Sequence, residues 1–263
     1  MDLKGKRIIV TGASSGIGLA VTEKLLDEGC TVLAAVRNPQ KLALTHERLL
    51  VEACDVSRPE DVDRLFEAAV RRMGGIDVYV ANAGFAYYEK LEAPDWAHAR
   101  AIFDTNVLGL FHSAQRLKAI KGEEPFQFVS IASGMSFLSL PGYALYSATK
   151  AAIRGFADAY RFELGKGQRF QVVYPIATRT AFFDKAGGSP IPWPSQPVEV
   201  VARRIVAGIR NGRNSIFPSR VFRVTLAIGR VFPFVLALYG RIEGARFRAW
   251  QQREALTAKG GKS

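Results

Sequence analysis

Short apolar runs alternate with longer amphipathic stretches along most of this chain, and that alternation most constrains its fold. A brief apolar run predicts a buried strand, whereas apolar residues at i, i+3 and i+4 predict a helix. Strands that alternate with helices pair in parallel and carry helices on both faces of the sheet. We predict strands near 8–10, 31–36, 50–54, 78–81, 126–131, 170–174 and 215–217, and helices over 17–28, 62–70, 97–121, 143–164 and 198–209.

Length and composition indicate one large domain. The 263 residues are 48% hydrophobic and 23% charged, which is typical of a globular chain and excludes a disordered one. The two cysteines, Cys30 and Cys54, cannot form a disulfide framework or a complete zinc site, so we expect buried thiols and no metal. The apolar run at 8–10 is too short for a signal peptide, which favours a cytoplasmic protein or one on a membrane facing the cytoplasm.

The fold class expected is therefore α/β. We predict a single doubly wound domain over residues 1–217, with a seven-stranded, mainly parallel sheet flanked by helices on both faces. The Pro-rich stretch within 181–197 reads as a surface loop or lid. Residues 218–263 form a basic, apolar helical extension packed on or beside this domain.

A glycine-rich turn lies between the first strand and the first helix, where phosphate-binding turns occur. It reads Thr11-Gly12-Ala13-Ser14-Ser15-Gly16-Ile17-Gly18. Gly12 permits a tight turn, Gly16 lets the backbone approach a pyrophosphate, and Gly18 allows the helix to pack closely on the strand. The helix N-terminus that follows offers free N–H groups to the phosphates.

This TGxxxGxG spacing, together with motifs downstream, resembles the short-chain dehydrogenase/reductase superfamily. The resemblance extends from about Lys4 to Phe217 and implies a Rossmann fold with a nicotinamide cofactor. Asn82-Ala83-Gly84 matches the family's NAG motif, and Asp55-Val56 matches the pair that borders the adenine. Tyr146 and Lys150 match YxxxK, Ser133 matches the catalytic serine, and Asn106 matches the fourth catalytic residue.

The chemistry of these residue types agrees with the roles that the resemblance implies. Lys150 lies four residues after Tyr146 on one helix face, and its charge is expected to lower the tyrosine pKa towards neutrality. Tyr146 would then act as general acid in ketone reduction and as base in alcohol oxidation. The resemblance further implies that Ser133 holds the substrate oxygen, that Lys150 binds the nicotinamide ribose, and that Asn106 holds a water linked to Lys150.

The end of the second strand favours NADP(H) over NAD(H). NAD-binding chains carry an acid there for the ribose 2′-hydroxyl, but this chain has Val36 followed by Arg37. A guanidinium can pair with a 2′-phosphate. Family members that bind NADP often add a basic residue inside the glycine turn, where this chain has Ser14 and Ser15.

Apolar residues cluster on the loops that would surround the cleft, so a hydrophobic substrate is expected. After the sixth strand the chain reads Pro175-Ile176-Ala177-Thr178-Arg179-Thr180, with Ile176 where the family usually has glycine and Thr180 matching the residue that holds the carboxamide. Pro175 and Thr178 complete the predicted cofactor set. The predicted substrate residues are Phe85, Met135, Leu140, Tyr143, Ile176, Phe182 and Phe183.

The C-terminal segment carries nearly all of the net charge. Residues 200–263 contain 13 Lys and Arg but only two acids, Glu243 and Glu254, which gives +11 of the total +12. The apolar stretch within 221–239 is interrupted by arginines, so a spanning helix is not expected. A helical wheel places Arg220, Arg223, Arg230, Arg241 and Arg248 in one sector, with a kink expected at Pro233.

Two interpretations of this segment remain open. It is either a helix lying in an anionic membrane interface or a helix that caps the pocket or forms a dimer contact. The leading function is an NADP(H)-dependent carbonyl reductase, with a homodimer expected from the family's two long helices. The alternatives are a non-catalytic NADP(H)-binding regulatory protein and a protein that binds nucleic acid through the basic segment, although the sequence contains no known nucleic-acid-binding motif.

Overall fold

Seven parallel strands form the central sheet of this α/β protein. The computed structural model describes residues 1–260, and within that range the side chains at 230, 233, 235 and 254–260 lie outside the description. The strands of this sheet are β1 (Arg7–Thr11), β2 (Thr31–Val36), β3 (Leu49–Ala53), β4 (Val78–Ala81), β5 (Phe126–Ile131), β6 (Gln168–Val173) and β9 (Ser215–Ile216), while β7 (Ala177–Thr178) and β8 (Ser195–Gln196) form a separate parallel pair. The sheet has the order β3-β2-β1-β4-β5-β6-β9, and all six neighbouring pairs are parallel.

Helices cover both faces of this sheet, as the sequence predicts. Alternation along β1 shows why: Ile8 and Val10 belong to one buried cluster and Ile9 to the other, because successive strand side chains point to opposite faces. The helices are α1 (Gly16–Asp27), α2 (Pro59–Met73), α3 (Trp96–Phe103), α4 (Gly109–Lys121), α5 (Ala144–Tyr160), α6 (Phe182–Lys185), α7 (Val198–Arg210), α8 (Arg220–Val231) and α9 (Pro233–Gly260).

The helix predicted over 97–121 is not one regular helix. A π-helical segment, Asp104–Leu108, separates α3 from α4. Immediately after it, the backbone of Gly109 approaches the 55–56 turn so closely that an added Cβ would lie 2.0 Å from the Val56 carbonyl oxygen. The wider turn places the Asn106 side chain against the loop that follows β4, which a hydrophobic pattern cannot reveal.

The C-terminal segment is also divided. We predicted one helix kinked at Pro233, but α8 ends at Val231 and α9 begins two residues later. Proline fits the first position of a helix because its missing N–H would have no partner there. The side chains of Arg230 and Pro233 lie outside the described set. Among the described residues, no helix combines the length and apolar character needed to cross a bilayer.

Both cysteines are free and buried, as predicted. Burial raises the pKa of Cys30 to about 11 and that of Cys54 to about 12, because the thiolate is poorly solvated. Within the described part of the chain, no cluster of His, Cys, Asp or Glu side chains could hold a metal ion.

We expect Gly109→Ala to destabilise the protein by about 1–3 kcal/mol, because the new methyl group must displace the backbone at Val56. Urea denaturation measures the change. Gly155→Ala, inside α5, is the matched control. A Cβ there meets no atom within 4 Å, so alanine should raise the free energy of unfolding by up to about 1 kcal/mol. Equal stability of the two variants would contradict the close approach at Gly109.

Candidate functional site

The glycine turn forms a rigid cradle at the carboxyl end of β1. Gly12 and Gly16 have φ values of +64° and +56°, a backbone region that side chains with a Cβ rarely adopt. At Gly18 an added Cβ would lie 2.3 Å from the Gly12 carbonyl oxygen. The Asn82 amide locks the turn to β4 by donating to the carbonyls of Thr11 at 3.0 Å and Gly12 at 3.1 Å.

The start of α1 is open to an anion. Ser15 is the N-cap residue, but its side chain makes no capping hydrogen bond, and the first turn of α1 contains no acid. Helix N-termini stabilise phosphate through free N–H groups and the helix dipole. A backbone cradle that a Cβ would fill, next to such an N-terminus, therefore fits a dinucleotide pyrophosphate. Ser14, Ile17, Ala83 and Gly84 lie in this turn or at the end of β4 beside it.

The end of β2 carries an apolar residue followed by an arginine and no acid. Val36 is buried, and Arg37 is exposed with no hydrogen bond or ion pair to any other described residue. Asp55, after β3, accepts hydrogen bonds from the backbone N–H and the hydroxyl of Ser57, at 3.0 and 2.7 Å. Its carboxylate therefore closes a local turn, and Val56 follows as a buried residue.

Ser133, Tyr146 and Lys150 come together at the carboxyl end of β5. Ser133 follows β5, and its hydroxyl accepts the N–H of Met135 at 3.1 Å. Tyr146 lies in the first turn of α5, and the Lys150 Nζ lies 5.4 Å from the centre of its ring. Lys150 donates to the Ile131 carbonyl at 2.9 Å. These three side chains are buried, as is Asn106, the fourth predicted catalytic residue.

The expected direction of the Tyr146 shift is wrong. Burial raises the pKa of Tyr146 to about 12, and a hydrogen bond from Ser133 offsets only part of that rise. Burial also lowers the pKa of Lys150 to about 8. Loss of solvation is the main cause of both pKa shifts, and the lysine ammonium donates to a backbone carbonyl rather than to the phenol oxygen. Tyr146 is therefore protonated at neutral pH, as a proton donor must be.

Asn106 is held by the loop after β4. Its Oδ1 accepts the N–H of Phe85 at 3.0 Å, and its Nδ2 donates to the Phe85 carbonyl at 2.9 Å and to Thr149 Oγ1 at 3.2 Å. The side chain thereby joins the π-helical segment, the β4 loop and α5. This amide was predicted to hold a water, and the structure gives it a direct bridging contact that the sequence did not reveal.

The segment after β6 closes over the glycine turn. The Gly134 N–H donates to the Pro175 carbonyl at 2.7 Å, and a Cβ on Gly16 would lie 3.4 Å from the Thr180 methyl group. Thr178 is buried and its hydroxyl donates to the Ile176 carbonyl. Of the predicted cofactor residues of this segment, Thr180 therefore lies beside the cradle, whereas the Pro175 carbonyl contacts the loop that follows Ser133.

Aromatic side chains form one wall next to Tyr146. The ring of Tyr146 lies 5.6 Å from that of Phe182 and 6.1 Å from that of Tyr143, whose hydroxyl hydrogen-bonds Ser189 at 2.5 Å. The predicted substrate residues share this apolar cluster, apart from Ile176, which is half-buried outside it; the members are Phe85, Met135, Leu140, Tyr143, Phe182 and Phe183.

The inner face of α9 completes this wall, which agrees with the cap on the pocket that the sequence left open, although the sequence did not identify the contacting residues. Tyr88 packs against Phe247 at 5.2 Å and Trp250 at 4.7 Å between ring centres. Glu243 is buried beside them and pairs with Arg246 at 2.8 Å. The sequence signal for this contact was Glu243, because an acid inside a strongly basic segment indicates a specific contact.

An open cleft of about 580 Å³ lies between the Pro-rich loop and α9, beside the aromatic wall rather than directly over Tyr146. Trp193 and Ile191 line one side, and Trp250 and Glu243 line the other. The Tyr239 hydroxyl ties the two sides together by donating to the Trp193 carbonyl at 2.7 Å. The loop predicted as a lid thus contacts the C-terminal helix.

Comparison with known proteins gives consistent matches. The sequence profile described as short chain dehydrogenase matches residues 6–188. A 3beta-hydroxysteroid dehydrogenase 1 of Eggerthella lenta is 30% identical over 190 residues, covering 68% of this chain and 73% of that protein. A hydroxynaphthalene reductase-like protein Arp2 of Metarhizium robertsii is 27% identical, covering 85% and 87%.

Solved structures share the fold. A short chain dehydrogenase from Burkholderia cenocepacia in complex with NADP superposes with a TM-score of 0.78 at 26% identity, covering 92% of this chain and 98% of that one. A Burkholderia phymatum short chain dehydrogenase/reductase in complex with NAD gives 0.78 at 23%, covering 86% and 93%. The profile matches most of the chain, and the fold and the buried Ser133, Tyr146 and Lys150 are consistent with that match. The chain therefore belongs to the short-chain dehydrogenase family.

Proposed function

We propose that this protein is an NADP(H)-dependent reductase that converts the carbonyl of a hydrophobic substrate into an alcohol. Oxidoreduction of carbonyl and alcohol groups follows from the family, whereas the cofactor, substrate and direction are our proposal. The observation that carries it is the buried group of Ser133, Tyr146 and Lys150 beside the glycine cradle.

The protein residues supply the proton and the polar contacts of the reaction. A bound nicotinamide cofactor supplies the hydride. Tyr146, protonated because burial raises its pKa to about 12, donates its phenolic proton to the carbonyl oxygen as that oxygen gains charge. The Ser133 hydroxyl donates a hydrogen bond to the same oxygen, and the charge of Lys150 stabilises the phenolate that remains.

Two observations support a hydrophobic substrate. The wall beside Tyr146 is built mainly of aromatic and aliphatic side chains. The relatives described above are named for a steroid and for a hydroxynaphthalene, both of them ring compounds. A fused-ring or long-chain ketone is therefore the substrate class to test first.

Support for NADP(H) comes from the end of β2. Buried Val36 offers no carboxylate to a ribose 2′-hydroxyl, and exposed Arg37 is available for a 2′-phosphate. Among the structural relatives, the one at 26% identity was solved with NADP.

We expect Tyr146→Phe to lower kcat/KM for carbonyl reduction by about 10²–10⁴-fold, because the ring remains while the proton donor is lost. NADPH oxidation against carbonyls of graded chain length and ring number measures the effect, and NADPH binding should stay near wild type. Tyr160→Phe removes a hydroxyl from the same helix outside the site and is the control. Wild-type NADPH binding without turnover of any carbonyl would instead support a regulatory protein.

We expect Arg37→Ala to weaken NADPH binding by roughly ten- to a hundredfold while NADH binding changes little, since a charge-assisted contact is lost. Titration of intrinsic fluorescence with each cofactor measures both dissociation constants. Lys41→Ala, which removes an exposed charge from the same loop, is the matched control. Equal losses for the two cofactors would show that Arg37 does not bind the 2′-phosphate.

We expect Lys150→Met to abolish reduction and yet to stabilise the cofactor-free protein by roughly 3 kcal/mol below pH 8. The lysine pKa falls from 10.5 to about 8 on folding, so the buried charge destabilises the fold in full below pH 8 and progressively less up to pH 10.5. The stability difference between variant and wild type should therefore shrink from pH 8 to 10.5. Urea denaturation across this range measures it, and a variant less stable than wild type at pH 7 would contradict the interpretation.

A further inference from the structure

The outer surface of α8 and α9 carries a row of exposed apolar side chains. On α8 they recur at intervals of three and four residues and on α9 at every fourth residue, so each set shares one helix face. The rings of Phe232 and Phe234 lie 6.1 Å apart at the break between the helices, which makes the two sets meet. The outer row comprises Val221 (70% exposed), Val224 (57%), Ile228 (45%), Val231 (69%), Phe232 (51%), Phe234 (68%), Leu238 (57%) and Ile242 (49%).

The inner faces of both helices already have partners. Phe222 of α8 rests on Gly134, where a Cβ would lie 3.0 Å from its ring. Phe247 and Trp250 of α9 pack on Tyr88. The outer row is therefore the side of these helices that faces away from the rest of the protein, and a contiguous exposed patch of this kind marks an interaction surface.

Positive charge accompanies the outer row on both helices. Arg220, Arg223, Arg241 and Arg248 are exposed on the same two helices. Glu243 is buried and paired with Arg246, so among the described side chains of α8 and α9 no exposed acid offsets the arginines. An occupant of this surface must combine an apolar interior with negative charge at its boundary.

We propose that the outer row binds the surface of an anionic lipid bilayer, with α8 and α9 lying in the interface. Apolar side chains would enter the headgroup region while the arginines pair with lipid phosphates. Nucleic acid would satisfy the arginines but would leave the aliphatic row exposed to water. A second copy bound through this row would bring like charges together across a symmetric interface.

This arrangement has a consequence for the active site that rests on the proposed function. The inner face of α9 lines the open cleft, and Trp193 and Ile191 on its other side are 69% and 44% exposed. One helix thus separates the lipid-facing row from the cleft. Attachment would place the cleft close to substrates dissolved in the bilayer.

The experiment is co-sedimentation of the full chain with vesicles made of equal parts phosphatidylglycerol and phosphatidylcholine. We expect the protein to pellet at low salt, to be released at high salt, and to remain in solution with phosphatidylcholine alone. Phe232→Ser with Phe234→Ser should weaken binding by roughly tenfold or more. Phe162→Ser, which alters a side chain that is 92% exposed outside this segment, is the control and should pellet like wild type.

A second variant tests the charge. Arg220→Gln with Arg223→Gln should weaken vesicle binding by roughly tenfold or more, whereas Arg203→Gln with Lys166→Gln, equal in charge loss but outside the row, should have little effect. NADPH oxidation without lipid should be unchanged in all four variants. Unchanged oxidation shows that a variant which no longer binds vesicles is still folded and active, so a failure of the membrane proposal can be told apart from a failure of the proposed function.

Three outcomes would overturn the proposal. The first is a wild-type protein that stays in the supernatant with anionic vesicles at low salt. The second is salt-sensitive binding to duplex DNA without binding to vesicles, which would assign the arginines to nucleic acid. The third is a homodimer, measured by light scattering, that the Phe232 and Phe234 changes dissociate while vesicle binding is absent.

Discussion

Burial of both faces of the parallel sheet determines where this protein can carry out polar chemistry. The middle of β1 is closed on one side by the cluster of Ile8 and Val10 and on the other by that of Ile9. Polar side chains therefore meet solvent and ligand only where the strands end. The glycine turn, Asn82 and Ser133 all lie at carboxyl ends of strands, so the sheet itself brings cradle and catalytic group to one edge.

The same burial controls the chemistry at that edge. Tyr146 stays protonated because a phenolate there would be poorly solvated, and Lys150 holds its charge against a cost that lowers its pKa to about 8. A lysine retained in such a place destabilises the fold. Lys150 donates to the Ile131 carbonyl and lies near Tyr146, so a role in the proposed proton transfer would account for a lysine that stability alone does not favour.

The C-terminal helices add to this scaffold through two unlike faces. Phe247, Trp250 and buried Glu243 extend the aromatic wall beside the site, while the opposite side of the same helices is apolar, exposed and rimmed by arginine. The sequence left open an interfacial helix and a helix that caps the pocket or forms a dimer contact; a cap and the proposed interfacial helix are compatible. Each one describes a different face.

Much of the fold and the candidate site followed from the sequence, because the signals were local. Strand and helix order, the glycine turn and the Tyr146–Lys150 spacing depend on residues a few positions apart. The rest depends on contacts between distant segments. Three features arise only when the chain has folded: the π-helical turn that presents Asn106, the contact of Tyr88 with Trp250, and the upward pKa shift of Tyr146. The physical reason is that packing and desolvation depend on all the groups around a side chain, and not on its neighbours in sequence.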